Sequence, residues 1–350
     1  MKKKQIAVIF GGNSTEYEVS LQSAYAVLKA LNSDRYDVLP IGITRQGEWY
    51  RYSGDFEKIE NNSWIADEQN LHPVAVSQSR RLGGIIEFDK NDRYVTNMYP
   101  VDLAFPVLHG RNGEDGTVQG LFELAGIEVV GCGTLSSALC MDKDRAHRLV
   151  KAAGILTPNS VAVTKSDMPN ITVLTNELRY PLFVKPIRSG SSLGITKVQA
   201  ETELIPAVQF AFEYDTKVII EENIDGFEVG CAVLGKDSLT VGRVDEIELS
   251  SGFFDYTEKY TLKTSKIHMP ARIDAATERR IQETAKTIYK TLGCSGFARV
   301  DMFLTLTGEI VFNEVNTIPG FTSHSRYPNM MKGIGLSFEQ VLDRLIGLYV

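Results

Sequence analysis

The run Gly296-Phe297-Ala298-Arg299-Val300-Asp301, followed by Glu314-Val315-Asn316-Thr317-Ile318-Pro319-Gly320, constrains the fold more than any other segment. Side chains alternate across a strand, so Arg299 and Asp301 share one face, and Glu314 and Asn316 share a face of the next strand. Leu306-Thr307-Gly308 offers a turn between them, and the two segments are expected to pair as a hairpin. One wall then carries an arginine, two carboxylates and an amide. Hard oxygen ligands of this kind suit magnesium, which binds octahedrally and usually shares its shell with phosphate. A guanidinium beside them stabilises charge that develops in acyl or phosphoryl transfer. The plainer alternative is an exposed hairpin with a solvated polar face.

A chain of 350 residues has room for two or three domains, and 43% hydrophobic residues fit a globular protein with sizeable cores. No apolar run approaches the roughly 20 residues of a membrane span, so no membrane partner is expected. The basic start, Met1-Lys2-Lys3-Lys4, leads into a short first strand and a Gly-rich turn, which reads as structure and not as a signal peptide. Cys132, Cys140, Cys231 and Cys294 lie far apart without a C-x-x-C pair. That spacing predicts reduced, mostly buried thiols, a cytoplasmic location and no zinc site. The net charge of -7 argues against nucleic acid as the main partner. Anionic ligands would need local positive charge.

The first third alternates strand and helix. Gln5–Phe10 is a buried-strand candidate, and Leu21, Ala24, Leu28 and Leu31 then recur at helical spacing. Strands are expected at 38–44, 101–108 and 128–130, with a helix at about 116–125. This β-α-β pattern predicts a parallel sheet with helices on its faces. The stretch 45–97 is polar and reads as irregular excursions. A single helix is expected over 136–153, ended by Gly154. Further strands are expected at 182–186, 194–198, 217–221 and 228–233, with a helix at 201–212. From 241 to 270 the chain is strand-like and then opens into a loop. Ile281, Ala285, Ile288 and Leu292 mark an amphipathic helix before the hairpin, and Phe338 to Tyr349 a closing one.

Three segments carry chemistry locally. Arg188-Ser189-Gly190-Ser191-Ser192-Leu193-Gly194 is a small-residue loop whose N–H and hydroxyl groups could receive an anion. It is not a P-loop. Lys185, where that loop starts, can serve phosphate as a point charge. Ile219-Ile220-Glu221-Glu222-Asn223-Ile224 is an apolar strand meeting acids, suited to an adenine amino group or a ribose, or simply a polar strand end. His109-Gly110-Arg111-Asn112-Gly113-Glu114-Asp115-Gly116 follows a buried strand and precedes a helix, the position at which open α/β sheets bind ligands. A structural turn histidine is the alternative there.

Together these pieces resemble the D-alanine–D-alanine ligase family of the ATP-grasp enzymes over nearly the whole chain. The motifs are Gly11-Gly12-x-Ser14-x-Glu16-x-Glu18-Val19-Ser20, His109-Gly110-x-x-Gly113-Glu114-Asp115-Gly116, Lys185-Pro186 with Gly190-Ser191-Ser192-x-Gly194, Arg299-x-Asp301, and Glu314-x-Asn316-x-x-Pro319-Gly320. The resemblance implies an α/β (α+β) ATP-grasp fold with an N-terminal Rossmann-like parallel-sheet domain at 1–142. A central subdomain at 143–233 and a C-terminal subdomain at 234–350 follow, the latter with a lid loop at about 248–270. It also implies ATP as substrate, two Mg2+ ions with Mn2+ as an alternative, a D-alanyl phosphate intermediate, and a homodimer.

By matching position, Glu16 would hold the ammonium of the first D-alanine, and His109 would lie in the substrate site. Lys143, Lys185 and Lys259 would neutralise phosphate charge, with Ser191 and Ser192 in the phosphate loop. Glu221, Glu222, Asn223, Ile224 and Glu228 would serve adenine and ribose. Asp301, Glu314 and Asn316 would bind Mg2+, and Arg299 and the Gly320 N–H would stabilise the tetrahedral oxyanion. Ser191 and Tyr260 match, with Glu16, the hydrogen-bonded set that closes the lid.

The second substrate is decided elsewhere. Thr322-Ser323-His324-Ser325-Arg326-Tyr327-Pro328 matches the segment that receives its carboxylate. Enzymes making D-alanyl-D-alanine commonly carry Leu or Met at the Arg326 position, and those making D-alanyl-D-lactate typically place a histidine in the lid. This lid reads Phe253-Phe254-Asp255-Tyr256-Thr257-Glu258-Lys259-Tyr260, more similar to the D-alanyl-D-serine ligases of vancomycin resistance. Arg326, Asp245 and Phe254 are the candidates for the selecting pocket. D-Alanine and then D-lactate are the alternative second substrates. A nicotinamide dehydrogenase lacks its G-x-G-x-x-G fingerprint here, and a nonenzymatic nucleotide-binding relative would lack metal ligands that this chain retains.

Overall fold

The computed structural model describes residues 3–190, 193–249 and 265–349. Ser191, Ser192, Phe254, Lys259, Tyr260 and most of the expected lid lie outside the described residues. Among the described residues, no helix is long and apolar enough to cross a membrane.

Three sheets organise the chain. The first contains β1 (Lys4–Gly11), β2 (Tyr36–Ile43), β3 (Trp49–Tyr52), β4 (Leu71–Val76), β5 (Gly84–Phe88), β6 (Val95–Pro100), β7 (Leu103–Pro106) and β8 (Glu128–Val129). Their order is β6-β5-β4-β3-β2-β1-β7-β8. β1 pairs in parallel with β2 and β7, and β7 with β8, as the β-α-β alternation predicts. The stretch 45–97 is not irregular: it supplies β3 to β5 and the start of β6, which extend the sheet by antiparallel pairing. These strands are short and partly exposed, so their apolar residues never accumulate into a readable alternation.

The second sheet, β9 (Ser160–Thr164), β10 (Leu182–Pro186), β11 (Thr196–Val198) and β12 (Lys217–Glu222), runs β11-β10-β12-β9 and is antiparallel. Leu204, Val208 and Ala211 of the helix Glu201–Ala211 pack on it. The third sheet, β13 (Gly226–Gly235), β14 (Leu239–Leu249), β15 (Ser265–His268), β16 (Gly296–Thr305) and β17 (Ile310–Asn316), runs β15-β14-β13-β16-β17. The helix Ala275–Thr291 buries Ile281, Ala285 and Ile288 in its core, and Asp274 caps that helix by accepting Ala276 N–H and Thr277 N–H.

β16 and β17 form the expected hairpin, with Arg299 opposite Asn316 and Asp301 opposite Glu314. Gly308, at φ +84°, makes the turn in a region only glycine enters freely. The register shifts between Asp301 and Met302, because Met302 faces Phe312 and Asn313 is extra. A bulged residue leaves the ladder. Asn313 C=O accordingly accepts from His147 Nε2 at 2.9 Å.

The single helix expected at 136–153 is two, Thr134–Met141 and Lys143–Ala152. Asp142 breaks it at ψ +96° and caps the second helix, its carboxylate accepting Arg145 N–H at 3.0 Å. Side-chain capping of this kind offers the backbone an alternative to continued helix. The break places Lys143 at a helix start facing the cleft. The helix Arg326–Lys332 has no counterpart among the expected elements, whereas the closing helix does, at Phe338–Gly347. Phe105, Phe297, Phe321 and Tyr327 pack edge to face or tilted at 5.5–6.5 Å, joining the first sheet to the third.

Candidate functional site

A cleft of about 850 Å³ opens where the three sheets meet. One wall is the hairpin of β16 and β17. Arg299 Nε lies 2.8 and 3.1 Å from the two Asp301 oxygens and Nη2 2.7 Å from Oδ2, while Asn316 Nδ2 donates to Oδ2 at 2.9 Å. Burial pulls the Arg299 guanidinium down and the Asp301 charge outweighs it, leaving it above its usual range. Lys143 Nζ stands 3.5 Å from Glu314 Oε2 and donates to Ser189 O at 3.0 Å. Among the described residues no three His, Cys, Asp or Glu side chains gather as a self-sufficient metal cage. Two carboxylates and an amide leave positions for phosphate and water, which is the pattern of Mg2+ and not of zinc.

The opposite wall rises from the second sheet. Lys185, on β10, lies 2.5 Å from Glu221 Oε2, on β12, and His147 Nδ1 lies 3.6 Å from Glu221 Oε1. Burial pushes the Glu221 carboxyl up, but Lys185, His147 and Lys143 together hold it below its usual value. Glu222 accepts from Asn159 Nδ2 and Arg179 N–H, and Asn223 Nδ2 donates to Asp225 Oδ1 at 2.9 Å. Both line the cleft, as do Ile224 and Glu228.

At the inner end, Glu16 stands at the start of the helix Tyr17–Ala30 beside Gly110 and Gly190. A Cβ on either glycine would meet Glu16 Oε2, at 2.5 and 2.9 Å. His109 is buried, with Nδ1 2.8 Å from Ile318 O and Nε2 3.3 Å from Ser23 Oγ. Burial holds its imidazole below the usual basicity against the pull of Glu16. Gly320 packs against Ser325, whose Oγ lies 2.9 Å from Thr322 Oγ1.

Arg326 begins its helix with the side chain almost enclosed. Nε and Nη2 each lie 2.8 Å from one Asp245 oxygen, Nη1 is 3.1 Å from Glu228 Oε1, and Nη2 is 3.5 Å from Asp301 Oδ1. Burial opposes its charge, and Asp245, Asp301 and Glu228 overcome that and raise it well above the usual value. Asp245 is fully buried behind Arg326, so it faces the cleft only through that guanidinium.

The sequence reading did not single out several residues here. Glu114 accepts Gly110 N–H and Ile318 N–H, both at 2.9 Å, and burial together with Glu16 pushes its carboxyl up to about 7. Its motif was visible, but its partner Ile318 was not. Phe183 and Lys197 line the wall formed by the second sheet, with Lys197 Nζ 5.5 Å from the Phe183 ring centre. Glu246 also lines the cleft, paired with Arg272 through Nη2 at 2.5 Å.

Two family models match the chain: the D-ala D-ala ligase N-terminus over residues 5–132 and the D-ala D-ala ligase C-terminus over residues 149–347. The crystal structure of VanG D-Ala:D-Ser ligase from Enterococcus faecalis superposes with a TM-score of 0.93 at 68% identity, over 100% of both chains. The vancomycin C-type resistance protein VanC1 of Enterococcus gallinarum is 43% identical over 99% of this chain and 98% of its own length. The vancomycin/teicoplanin A-type resistance protein VanA of Enterococcus faecium is 45% identical over 99% of both. Fold and cleft thus define an ATP-grasp ligase, an enzyme that spends ATP to form a bond to a carboxyl group. The chain belongs to the D-alanine–D-alanine ligase family, ATP-dependent ligases that form a peptide bond.

Proposed function

We propose that this enzyme joins D-alanine to D-serine through a D-alanyl phosphate, for peptidoglycan precursors that confer vancomycin resistance. The observation that carries the choice of D-serine is Arg326, a guanidinium set in the cleft wall beside Ser325 and held by Asp245. The likeness to a D-Ala:D-Ser ligase supports the same reading. A charged donor at that place favours a substrate hydroxyl over a methyl group.

In this reading Glu16 holds the first ammonium, and the D-alanine carboxylate attacks the γ-phosphate of ATP, giving D-alanyl phosphate as the bond to the bridging oxygen breaks and ADP leaves. Lys143 and Lys185 meet the phosphates, and Glu221, Glu222, Asn223, Ile224 and Glu228 meet adenine and ribose. Asp301, Glu314 and Asn316 would hold two Mg2+ ions, or Mn2+, which offset phosphate charge when bound. The amine of D-serine, its carboxylate at Ser325, attacks the acyl carbon. Arg299 and Gly320 N–H steady the oxyanion, and phosphate leaves. Ser191, Ser192, Phe254, Lys259 and Tyr260 would complete the site from outside the described residues. We assign 1–142, 143–233 and 234–350 as its three units, a cytoplasmic location and a homodimeric assembly.

The test is ADP release with D-alanine plus each of D-serine, D-alanine and D-lactate. Greatest kcat/KM with D-serine is the expected result. A higher value with D-alanine overturns the choice, and no ADP release with any of them overturns the ligase reading.

A further inference from the structure

The geometry points to Ser23, His109 and Glu114 as positioning residues that set the Gly320 backbone N–H, on the reading that this N–H donates to the oxyanion. The hydrogen bonds run in one consistent direction. Ile318 C=O can only accept, so His109 Nδ1, 2.8 Å away, carries the proton. The buried imidazole is kept neutral, so Nε2 accepts. Ser23 Oγ, 3.3 Å from Nε2, therefore donates to it and accepts Phe321 N–H at 3.2 Å. Glu114 Oε1 takes Ile318 N–H at 2.9 Å, and its other oxygen takes Gly110 N–H.

Gly320 is thus bracketed. Ile318 is held at both polar groups on one side, and Phe321 is held on the other. Pro319 between them has no N–H and a fixed φ. Of the N–H groups from Ile318 to Phe321, that of Gly320 alone has no partner among the described residues. All three gripping side chains come from the N-terminal third of the chain, whereas Gly320 follows the hairpin of the third sheet. Phe105 against Phe297 and Phe321 keeps the two parts in register. Ser23 is fully buried and does not line the cleft, so it acts only through the loop.

The experiment compares Ser23→Ala and Glu114→Gln with the wild type. The readouts are kcat, KM, affinity for a phosphinate dipeptide analogue of the tetrahedral intermediate in the presence of ATP, and affinity for ADP. Loss of a whole oxyanion donor costs about 10²–10³ in kcat. A misdirected donor should cost less, about tenfold for Ser23→Ala and on the order of tenfold to a hundredfold for Glu114→Gln. Analogue affinity should fall by the same factor as kcat/KM, with ADP affinity unchanged. Unchanged kcat and analogue affinity in a folded Ser23→Ala protein overturn the proposal. So does ADP affinity that falls in step with analogue affinity, which marks general loosening. If either variant fails to fold, the other decides alone. A wild type that does not bind the analogue tightly overturns the oxyanion reading itself.

Discussion

Arg326 and Asp245 meet side-on, Nε to Oδ2 and Nη2 to Oδ1, each at 2.8 Å, although 81 residues separate them. Asp245 also accepts Gly230 N–H at 3.0 Å, so the carboxylate is pinned and pins the guanidinium in turn. A paired fork of this kind has little freedom to rotate away from the cleft. On the D-serine reading proposed above, selectivity for the second substrate would depend on a rigid charged donor and not on pocket volume alone.

Arg326→Met should shift preference from D-serine towards D-alanine, mainly by losing D-serine. A hydrogen bond to a charged group contributes roughly 1.5–3 kcal/mol. At 1.36 kcal/mol per factor of ten, the ratio of kcat/KM values should change on the order of ten- to a hundredfold. Steady-state kinetics with both amino acids measure it. An unchanged ratio means Arg326 only secures Asp245, Glu228 and the helix start.

Glu314→Gln should abolish turnover while the protein stays within about 1 kcal/mol of wild-type stability. The amide keeps the shape of the wall but cannot supply the anionic oxygen needed opposite a divalent ion. Paired ADP-release and urea-unfolding curves test this. Near-normal turnover by a folded variant would remove Glu314 from the metal set.

Glu114 makes stability depend on pH. Its carboxyl is raised to about 7 in the folded protein from an ordinary 4.5. The folded state therefore binds the proton more tightly, and the wild type loses stability as pH rises between those values. Relative to Glu114→Gln, which has no such proton, the wild type should lose about 2 kcal/mol between pH 5.5 and 8. Urea denaturation of both proteins at the two pH values measures the difference. Parallel pH dependences would show that Glu114 titrates normally.

Gly110→Ala should raise KM for D-alanine about tenfold and leave KM for ATP nearly unchanged. The new Cβ would sit 2.5 Å from Glu16 Oε2 and push that carboxylate aside, at a backbone φ of +69°. Left-handed backbone at a residue with a Cβ costs roughly 1–2 kcal/mol, so the midpoint of unfolding should fall as well. An unaltered KM for D-alanine would detach Glu16 from the first ammonium.

Much of this architecture was legible along the chain because periodicity is local. Arg299 and Asp301 alternate in one strand and Glu314 and Asn316 in the next, so each pair's common face follows from spacing, while the pairing register sets the two pairs side by side. The buried strands β1, β2, β10 and β12 and the helices Tyr17–Ala30 and Ala275–Thr291 announce themselves in the same way. The strands between 45 and 97 do not, since their pairing with one another and not their composition makes them strands. The break at Asp142 and the bulge at Asn313 each turn on one residue's hydrogen bonds, which a pattern averaged over a window cannot register.

By itself, then, the sequence determined which residue types supply the carboxylates, amide and cations of the cleft walls, and in what order along the chain they come. Tertiary structure alone decided their partners. Lys185 faces Glu221 across 36 residues, Arg326 meets Glu228 across 98, and Glu114 grips Ile318 across 204. Those separations are closed by the packing of three sheets around one cleft. The resulting burial and enclosed charge raise Glu114 to about 7 and keep Arg326 ionised. Spacing carries no information on burial of that kind, because desolvation and Coulomb energy depend on distances through space and on the loss of water, which only the folded chain sets.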